Sequence, residues 1–167
     1  MHTLVTITAG MNSAEAQDWV RMLVRMYARW AEEKGYEARV IGSSPGEVGG
    51  LRNAVLAIAA AVHGRLSHEV GVHRLTYISP FDPHGRRHTV MAAVAVTAEP
   101  GELPAEEELS VAAAEFTGRK FVFSAPIRSY ILQPYSLVKD HRTGIETGDA
   151  TRVLDGAIDQ FRNQEKP

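Results

Sequence analysis

Cysteine is absent from these 167 residues, and no apolar run reaches the length that spans a bilayer. The first absence excludes disulfides and thiolate metal sites and makes a cytoplasmic location the expectation. The second, together with the lack of a signal-peptide pattern after Met1, argues against a membrane protein. An excess of charge is also lacking, because the net charge is −2. Nucleic acid would therefore have to bind a local patch rather than the whole surface.

The sequence also lacks the common catalytic motifs. It has no glycine-rich phosphate loop of the nucleotide-binding types, and no two histidines have the helical spacing of a zinc site with a glutamate partner. Ser129 and Ser136 are not flanked by the glycines of a hydrolase nucleophile. Asp155 and Asp159 lie one helical turn apart, a spacing more typical of the polar face of a helix than of paired catalytic carboxylates. We therefore expect no enzyme activity, no metal and no cofactor.

The sequence has the alternating and amphipathic patterns of a globular domain. The stretch 51–61 is equally compatible with a helix, and 99–104 is a proline-rich boundary. Asp149 is expected to cap the last helix, as Asn12 or Ser13 caps the first. The predicted strands are 3–9, 36–41, 51–61, 71–78, 88–98, 121–123 and 127–132; the predicted helices are 14–34, 105–116 and 150–163, with a short helical turn at 63–69.

The long helix has one broad apolar face and ends at Gly35. Arg21, Arg25 and Arg29 form a row on another face, which is more typical of a solvated stripe than of an RNA contact. The apolar face comprises Trp19, Leu23, Met26, Tyr27 and Trp30.

The stretch 71–89 is the strongest candidate for a binding site. It begins as a strand and breaks at Ser79-Pro80 into a loop of turn-forming residues. Cations of this loop suit RNA phosphates, and Phe81 and the imidazoles suit stacking on unpaired bases, which contributes about 1–3 kcal/mol per base. An ordinary hairpin with Phe81 packed into the core is an equally good interpretation. The cations are Arg74, Arg86 and Arg87, and the histidines are His73, His84 and His88.

Three segments resemble the bacterial class I peptide-chain release factors, the release factor 2 type above all. The first is TITAGMNSAEAQDWVRMLVRMYARWAEEKGY, and the second is GVHRLTYISPFDPHGRRHT with its Ser-Pro-Phe tripeptide. The third is IRSYILQPYSLVKDHRTGIETGDATRVLDGAIDQF. With these motifs in the family's order, the resemblance extends over all of the chain except the stretch from about 99 to 124.

The resemblance implies an α+β fold in which a mixed or antiparallel sheet packs against the long helix. A codon-recognition domain at 1–98 and a C-terminal domain at 125–163 would form one unit. The linker 99–124, with its short helix, would replace the family domain that carries Gly-Gly-Gln and promotes peptidyl-tRNA hydrolysis. The family's N-terminal helical domain is not expected either.

The family's codon contacts carry over residue by residue. Ser79 corresponds to the serine that hydrogen-bonds the second base of the stop codon, in a loop completed by Pro80 and Phe81. His88 corresponds to the histidine that separates the second base from the third. Thr89 corresponds to a threonine near the third base, and Glu15 corresponds to the glutamate whose backbone helps to read the first uracil.

Several departures surround this site. Asn12 and Ser13 replace two family glycines, which let backbone approach a base closely. Thr76-Tyr77 replaces Val-Arg, so Thr76 would present a hydroxyl to the third base. Val90-Met91 replaces Ser-Phe. The predicted RNA-binding set is Asn12, Glu15, Thr76, Ser79, Pro80, Phe81, Arg86, Arg87, His88 and Thr89.

Three functions remain open from the sequence. The first is binding to the small-subunit decoding centre of the ribosome and to stop-codon-like mRNA, without release of the peptide. The second is regulation through another RNA on the same platform. The third is a protein–protein adaptor that docks a partner through 105–118, where Glu106, Glu107 and Glu108 make the predicted helix acidic.

Overall fold

An eight-stranded sheet forms the framework of the computed structural model, which describes residues 1–46, 48–103 and 125–162. The strand order across the sheet is β2-β3-β1-β5-β4-β6-β7-β8. The strands are β1 His2–Ala9, β2 Ala38–Pro45, β3 Leu51–Ile58, β4 Gly71–Ile78, β5 Arg87–Glu99, β6 Arg128–Ile131, β7 Leu137–Asp140 and β8 Glu146–Thr147. The helices are α1 Ala14–Glu33, α2 His63–Leu66 and α3 Ala150–Leu154, with 3₁₀ turns at Ser67–Glu69 and Asp159–Phe161.

All strand pairs are antiparallel except β4 with β6, where Leu75 lies beside Tyr130 in a parallel ladder. This pairing joins the C-terminal segment directly to the sheet of the first 99 residues. The end of β5 and the start of β6 lie at the same end of the sheet. The predicted α+β class, with a mostly antiparallel sheet against a long helix, is confirmed.

Helix α1 packs on one face of the sheet through the apolar face expected from the sequence. Trp19, Leu23, Met26, Tyr27 and Trp30 are all buried, and burying a large apolar side chain contributes about 1.5–3 kcal/mol. The indole N–H of Trp19 donates to the backbone carbonyl of His73 (3.0 Å), and that of Trp30 donates to Asp159 Oδ1 (3.0 Å).

The ends of α1 also follow the predicted signals. Ser13, rather than Asn12, is the N-cap, since its hydroxyl accepts a hydrogen bond from the Ala16 amide (3.2 Å). Gly35 ends the helix with a φ of 82°, a conformation that glycine adopts without steric cost. Arg21, Arg25 and Arg29 are exposed, and two of them pair with acids, Arg21 with Asp18 and Arg25 with Asp155.

A fully buried ion-pair network, which we call the Arg128 network, fastens β6 and β7 to the rest of the core. The Arg128 guanidinium donates to both carboxylate oxygens of Glu69 (2.6 and 2.8 Å) and to Asp140 Oδ2 (3.2 Å). Tyr27 donates its hydroxyl hydrogen to Glu69 Oε1 (3.1 Å). Burial by itself would raise the pKa of Glu69, but the adjacent Arg128 outweighs it and holds this pKa below its usual value.

His73 lies beside this network and is also fully buried. Its Nε2 faces the carbonyl of Glu69 (2.8 Å), so Nε2 carries the hydrogen and Nδ1 accepts from the Tyr130 hydroxyl (2.9 Å). Burial, and next the positive charge of Arg128, lower the pKa of His73 to about 4. The ring is therefore neutral at physiological pH.

Two sequence-based element predictions are wrong. Strand β2 continues through Pro45, where a loop is predicted, because it is an edge strand and its register shifts at two places accommodate glycine and proline. The last helix stops at Leu154 instead of continuing to 163. Gly156 has a φ of 113°, and a Cβ there would lie 2.7 Å from the Trp30 nitrogen. The close approach of Gly156 to α1 therefore requires the last helix to end before it. As a result, Asp155 and Asp159 do not lie on one helical face.

Three predictions fall outside the described residues: the helix at 105–116, the strand at 121–123 and the partner segment 105–118. Within the described ranges, no helix is both long enough and apolar enough to cross a membrane.

Candidate nucleic-acid interface

The N-terminus of α1 and the loop between β4 and β5 lie at the same edge of the sheet. Strands β1 and β4 are each antiparallel to β5, so they run in the same direction. Helix α1 follows the end of β1, and the loop follows the end of β4. The topology therefore brings together residues that are more than 60 positions apart.

Ser79 and Glu15 form the direct contact between these two elements. The Ser79 hydroxyl donates to Glu15 Oε1 (2.8 Å) and accepts from the Phe81 amide (3.0 Å). The Ser79 amide donates to the carbonyl of Arg86 (3.2 Å), which closes the loop. Ser79 is buried, at 2% exposure, so its hydroxyl serves first to fix the loop against the helix.

His88 lies between two carboxylates. Its Nε2 is 2.9 Å from Asp82 Oδ2, and its Nδ1 is 3.6 Å from Glu15 Oε1, while 33% of the side chain is exposed. Hydrogen bonds from His88, from the His84 amide and from Arg86 lower the pKa of Asp82 to about 2. Asp82 is therefore an acceptor at neutral pH, and His88 donates Nε2–H to it. The imidazole is held in one orientation before any ligand arrives.

Asp82 is among the turn-forming residues expected in this loop, but its role as the acceptor that holds both His88 and Arg86 is not predicted. A signal was available. An aspartate that accepts from the amide two residues later forms an Asx-turn, and Asp-Pro-His-Gly has the composition of such a turn.

His88 and Thr89 project to opposite faces of the sheet, since neighbouring residues of a strand alternate. His88 pairs across the ladder with Tyr77, which is buried on the α1 side. Thr89 pairs with Thr76 on the other side, and their hydroxyls are 3.1 Å apart. His88 and the Thr76–Thr89 pair therefore lie on opposite faces of the sheet at the same strand end.

The other predicted residues of the loop form its outer surface. Pro80, Arg86 and Arg87 are exposed, and Arg86 reaches Asp82 with its Nε (2.9 Å). Phe81 is half-buried within the loop and lies outside the hydrophobic core. The hairpin interpretation is right about the hairpin, but its placement of Phe81 in the core does not describe this structure.

The departures from the family pattern have structural roles of their own. Asn12 accepts a hydrogen bond from the side chain of Gln17 (2.9 Å), whereas Ser13 caps the helix. Tyr77 is buried and donates its hydroxyl hydrogen to Asp18 Oδ2 (3.0 Å). The side-chain contact of Asn12 is thus with α1 and not with the loop.

The site is a preformed polar cluster, which we call the Glu15–Ser79–His88 cluster. It offers an oriented imidazole, a half-buried phenyl ring and exposed guanidinium groups, a combination that suits stacking and phosphate contacts to unpaired bases. In the described ranges no three His, Asp or Glu side chains are placed to hold a metal ion.

Comparisons with known proteins identify relatives of this chain. A family model described as the PCRF domain matches residues 1–94. Peptide chain release factor 2 of Pseudothermotoga lettingae is 33% identical over 228 residues, and that of Kosmotoga olearia is 32% identical over 232 residues. These alignments cover 94% and 96% of this chain, which spans 62% and 63% of the length of the two relatives.

A solved structure shows the same fold. RF2 of Thermus thermophilus superimposes with a TM-score of 0.76 at 27% identity, over 96% of this chain and 66% of that one. Since the PCRF-domain model matches more than half of the sequence, and relatives named release factor 2 align with nearly all of it, this chain belongs to the peptide chain release factor family.

Proposed function

We propose that this chain acts in the cytoplasm as a translation-termination-type protein that binds the decoding centre of the small ribosomal subunit. There it would recognise stop-codon-like mRNA without catalysing peptidyl-tRNA hydrolysis. The observation that carries the proposal is the Glu15–Ser79–His88 cluster. Residues that correspond to the family's codon contacts lie within hydrogen-bond or ion-pair reach of one another at one sheet edge, in a member of that family.

The cluster favours reading of the second base. His88 is oriented by Asp82 and lies on the α1 side of the strand end, next to Thr89 on the opposite side. A base stacked on this ring would be separated from the next base, which would face the Thr76–Thr89 pair. A hydroxyl can accept a hydrogen bond from adenine or donate one to guanine, so Ser79 would accept either base at the second position once a base replaces Glu15 as its partner.

Two observations support the absence of hydrolysis. The sequence contains no Gly-Gly-Gln. The alignment with the Pseudothermotoga lettingae relative extends over 228 residues, whereas this chain has 167 in all, so the relative has residues within the matched region that this chain lacks. The stretch between Glu99 and Arg128 is too short for a domain, which rarely has fewer than about 50 residues.

The direct test is binding of labelled protein to 70S ribosomes programmed with UGA, UAA, UAG or a sense codon, at a stated salt concentration. We expect a preference for UGA and UAA. Binding without codon preference, or no binding, would refute the proposal. Hydrolysis is tested separately with peptidyl-tRNA in the P site, and release above background would refute the non-catalytic part.

A matched pair of variants locates the codon contact. Phe81→Ala with His88→Ala should remove the codon preference while thermal unfolding stays close to that of the wild type. His63→Ala with Tyr135→Ala is the control, because both of these side chains are exposed and neither belongs to the cluster. Equal loss of preference in both double variants would show that the cluster is not the reader.

A second function, binding of a non-ribosomal RNA through the same surface, is favoured by the internal contacts of the cluster. The Ser79 hydroxyl is already bonded on both sides, and Asn12 and Tyr77 bond to α1 instead of projecting towards a base. Crosslinking in cells distinguishes the two proposals. Recovery of 16S rRNA at stop codons favours the first, and recovery of one other transcript favours the second.

A further inference from the structure

Three polar residues form a row across the sheet face opposite α1. Arg74 on β4 pairs with Ser129 on β6, which pairs in turn with Lys139 on β7. The strand neighbours of each, such as His73 and Tyr130, are buried towards α1. Alternation therefore directs Arg74, Ser129 and Lys139 to the other face, side by side at the strand spacing of about 5 Å.

His141 completes this group from the turn after β7. Its Nε2 is 2.7 Å from the Ser129 hydroxyl, and its backbone amide donates to the carbonyl of Ile127 (2.9 Å). Burial lowers the pKa of His141, and the positive charges of Arg74 and Lys139 lower it further. The ring is therefore close to both cations and uncharged at neutral pH.

The two cations on either side of Ser129 have no acidic partner in the described part of the chain. Among the described residues, the side chains of Arg74 and Lys139 make no ion pair, and this includes Glu146, which lies opposite Lys139 on β8. Directly beneath the row, Arg128 and Asp140 are locked in the Arg128 network. The positive charge thus lies on a packed part of the sheet and is not neutralised by any side chain of the described residues.

We propose that Arg74, Ser129 and Lys139 form a binding site for a phosphodiester group of RNA. Arg74 and Lys139 supply two cations that match the charge of a phosphate, and the Ser129 hydroxyl, 5% exposed and bonded to His141, forms the floor between them. The row lies two residues along β4 from Thr76, about 7 Å away on the same face. RNA that passes the Thr76–Thr89 pair would therefore reach it.

The site deepens the proposed function and rests on it only for the source of the RNA, which is either the message beyond the codon or ribosomal RNA. Its chemistry is tested first without ribosomes. The probe is a labelled oligouridylate of about nine nucleotides, which contains no stop codon. Fluorescence anisotropy gives its affinity at salt concentrations from about 50 to about 200 mM.

The test variant is Arg74→Gln with Lys139→Gln. We expect several-fold weaker binding and a salt slope smaller by about 0.7 for each phosphate that the variant no longer neutralises. Arg29→Gln with Arg65→Gln is the control, because it removes the same charge from exposed residues elsewhere. Equal weakening in the two double variants, an unchanged slope in the first, or no binding by the wild type would overturn the site.

Ribosomes then identify the source. If the message supplies the phosphate, the test variant should lose more affinity on a message extended by about six nucleotides than on one that ends at the codon. If ribosomal RNA supplies it, the loss should be equal on both messages. The result is separable from the proposed function, because these variants should weaken binding to all codons alike, whereas loss of the codon reader alters only the preference.

Discussion

Replacing Arg128 with methionine should destabilise the protein by leaving a buried carboxylate without a counter-ion. Arg128, Glu69 and Asp140 have side-chain exposures of 0%, 3% and 0%. Asp140 would still accept from the Arg142 guanidinium (3.0 Å) and from two backbone amides. Among the described side chains, Glu69 would keep the Tyr27 hydroxyl as its one hydrogen-bond donor, so the cost falls mainly on Glu69.

Removal of one partner from such a buried pair costs about 3–5 kcal/mol. In a domain of this length, 1 kcal/mol corresponds to about 2–4 °C in Tm, so we expect Tm to fall by about 10 °C. Urea unfolding followed by fluorescence measures the free energy directly, since both tryptophans are buried in α1. Arg152→Met, on an exposed residue, is the control and should change stability by less than about 0.5 kcal/mol.

Two further results would identify the cause. Without its counter-ion, buried Glu69 has its pKa raised above the unfolded value, so the deficit of the Arg128→Met variant should shrink as the pH falls from 8 towards 5, by roughly 1.4 kcal/mol per pH unit below that raised pKa. Adding Glu69→Gln should restore part of the stability, because it removes the unpaired charge. A loss below about 1 kcal/mol, or no recovery in the double variant, would refute the reasoning.

Three other predictions address separate features. The pKa of His73 is about 4 in the folded protein, below its value in the unfolded chain. Its contribution to the free energy of unfolding, about 3 kcal/mol, is therefore complete above about pH 6.5 and is lost as the pH falls to about 4. His73→Gln should flatten this part of the stability–pH curve. Gly156→Ala should cost about 1–3 kcal/mol, through positive φ and contact with the backbone of Trp30, whereas Gly64→Ala, which meets nothing, should not destabilise. Ser13→Ala should cost about 1 kcal/mol through removal of the N-cap, but Ser13→Gly only a few tenths; thermal unfolding measures both pairs.

Sequence patterns predicted the elements whose stability is local or periodic. The apolar spacing of α1, its cap and the Gly35 stop are signals within one helix, and the alternation in β4 is a signal within one strand. The prediction ends edge strand β2 too early, because its glycine and proline weigh against a strand unless the pairing is known. The sequence does not predict that the last helix ends before Gly156, because the steric constraint comes from the backbone of Trp30, more than a hundred positions away.

In the candidate site too, local features were predicted and contacts between distant segments were not. The loop and its cations were predicted from turn residues and charge, and the roles of Ser79, His88 and Glu15 from resemblance. Their mutual contacts depend on β1 and β4 ending at one edge of the sheet, which no local pattern encodes. The Arg128 network was missed altogether, since charged residues are usually exposed and only the parallel β4–β6 pairing places Arg128 beside Glu69.

The parallel pairing of β4 with β6 also has a consequence for how the chain folds as it is synthesised. Until residues 128–131 are available, β4 is an edge strand with open backbone groups, and Glu69 has no counter-ion. Contacts of such large sequence separation form slowly, and an open edge invites pairing with another chain. A fragment that ends at Glu99 should therefore aggregate. In the full chain, β6 covers the open edge of β4 and so protects it from pairing with another chain.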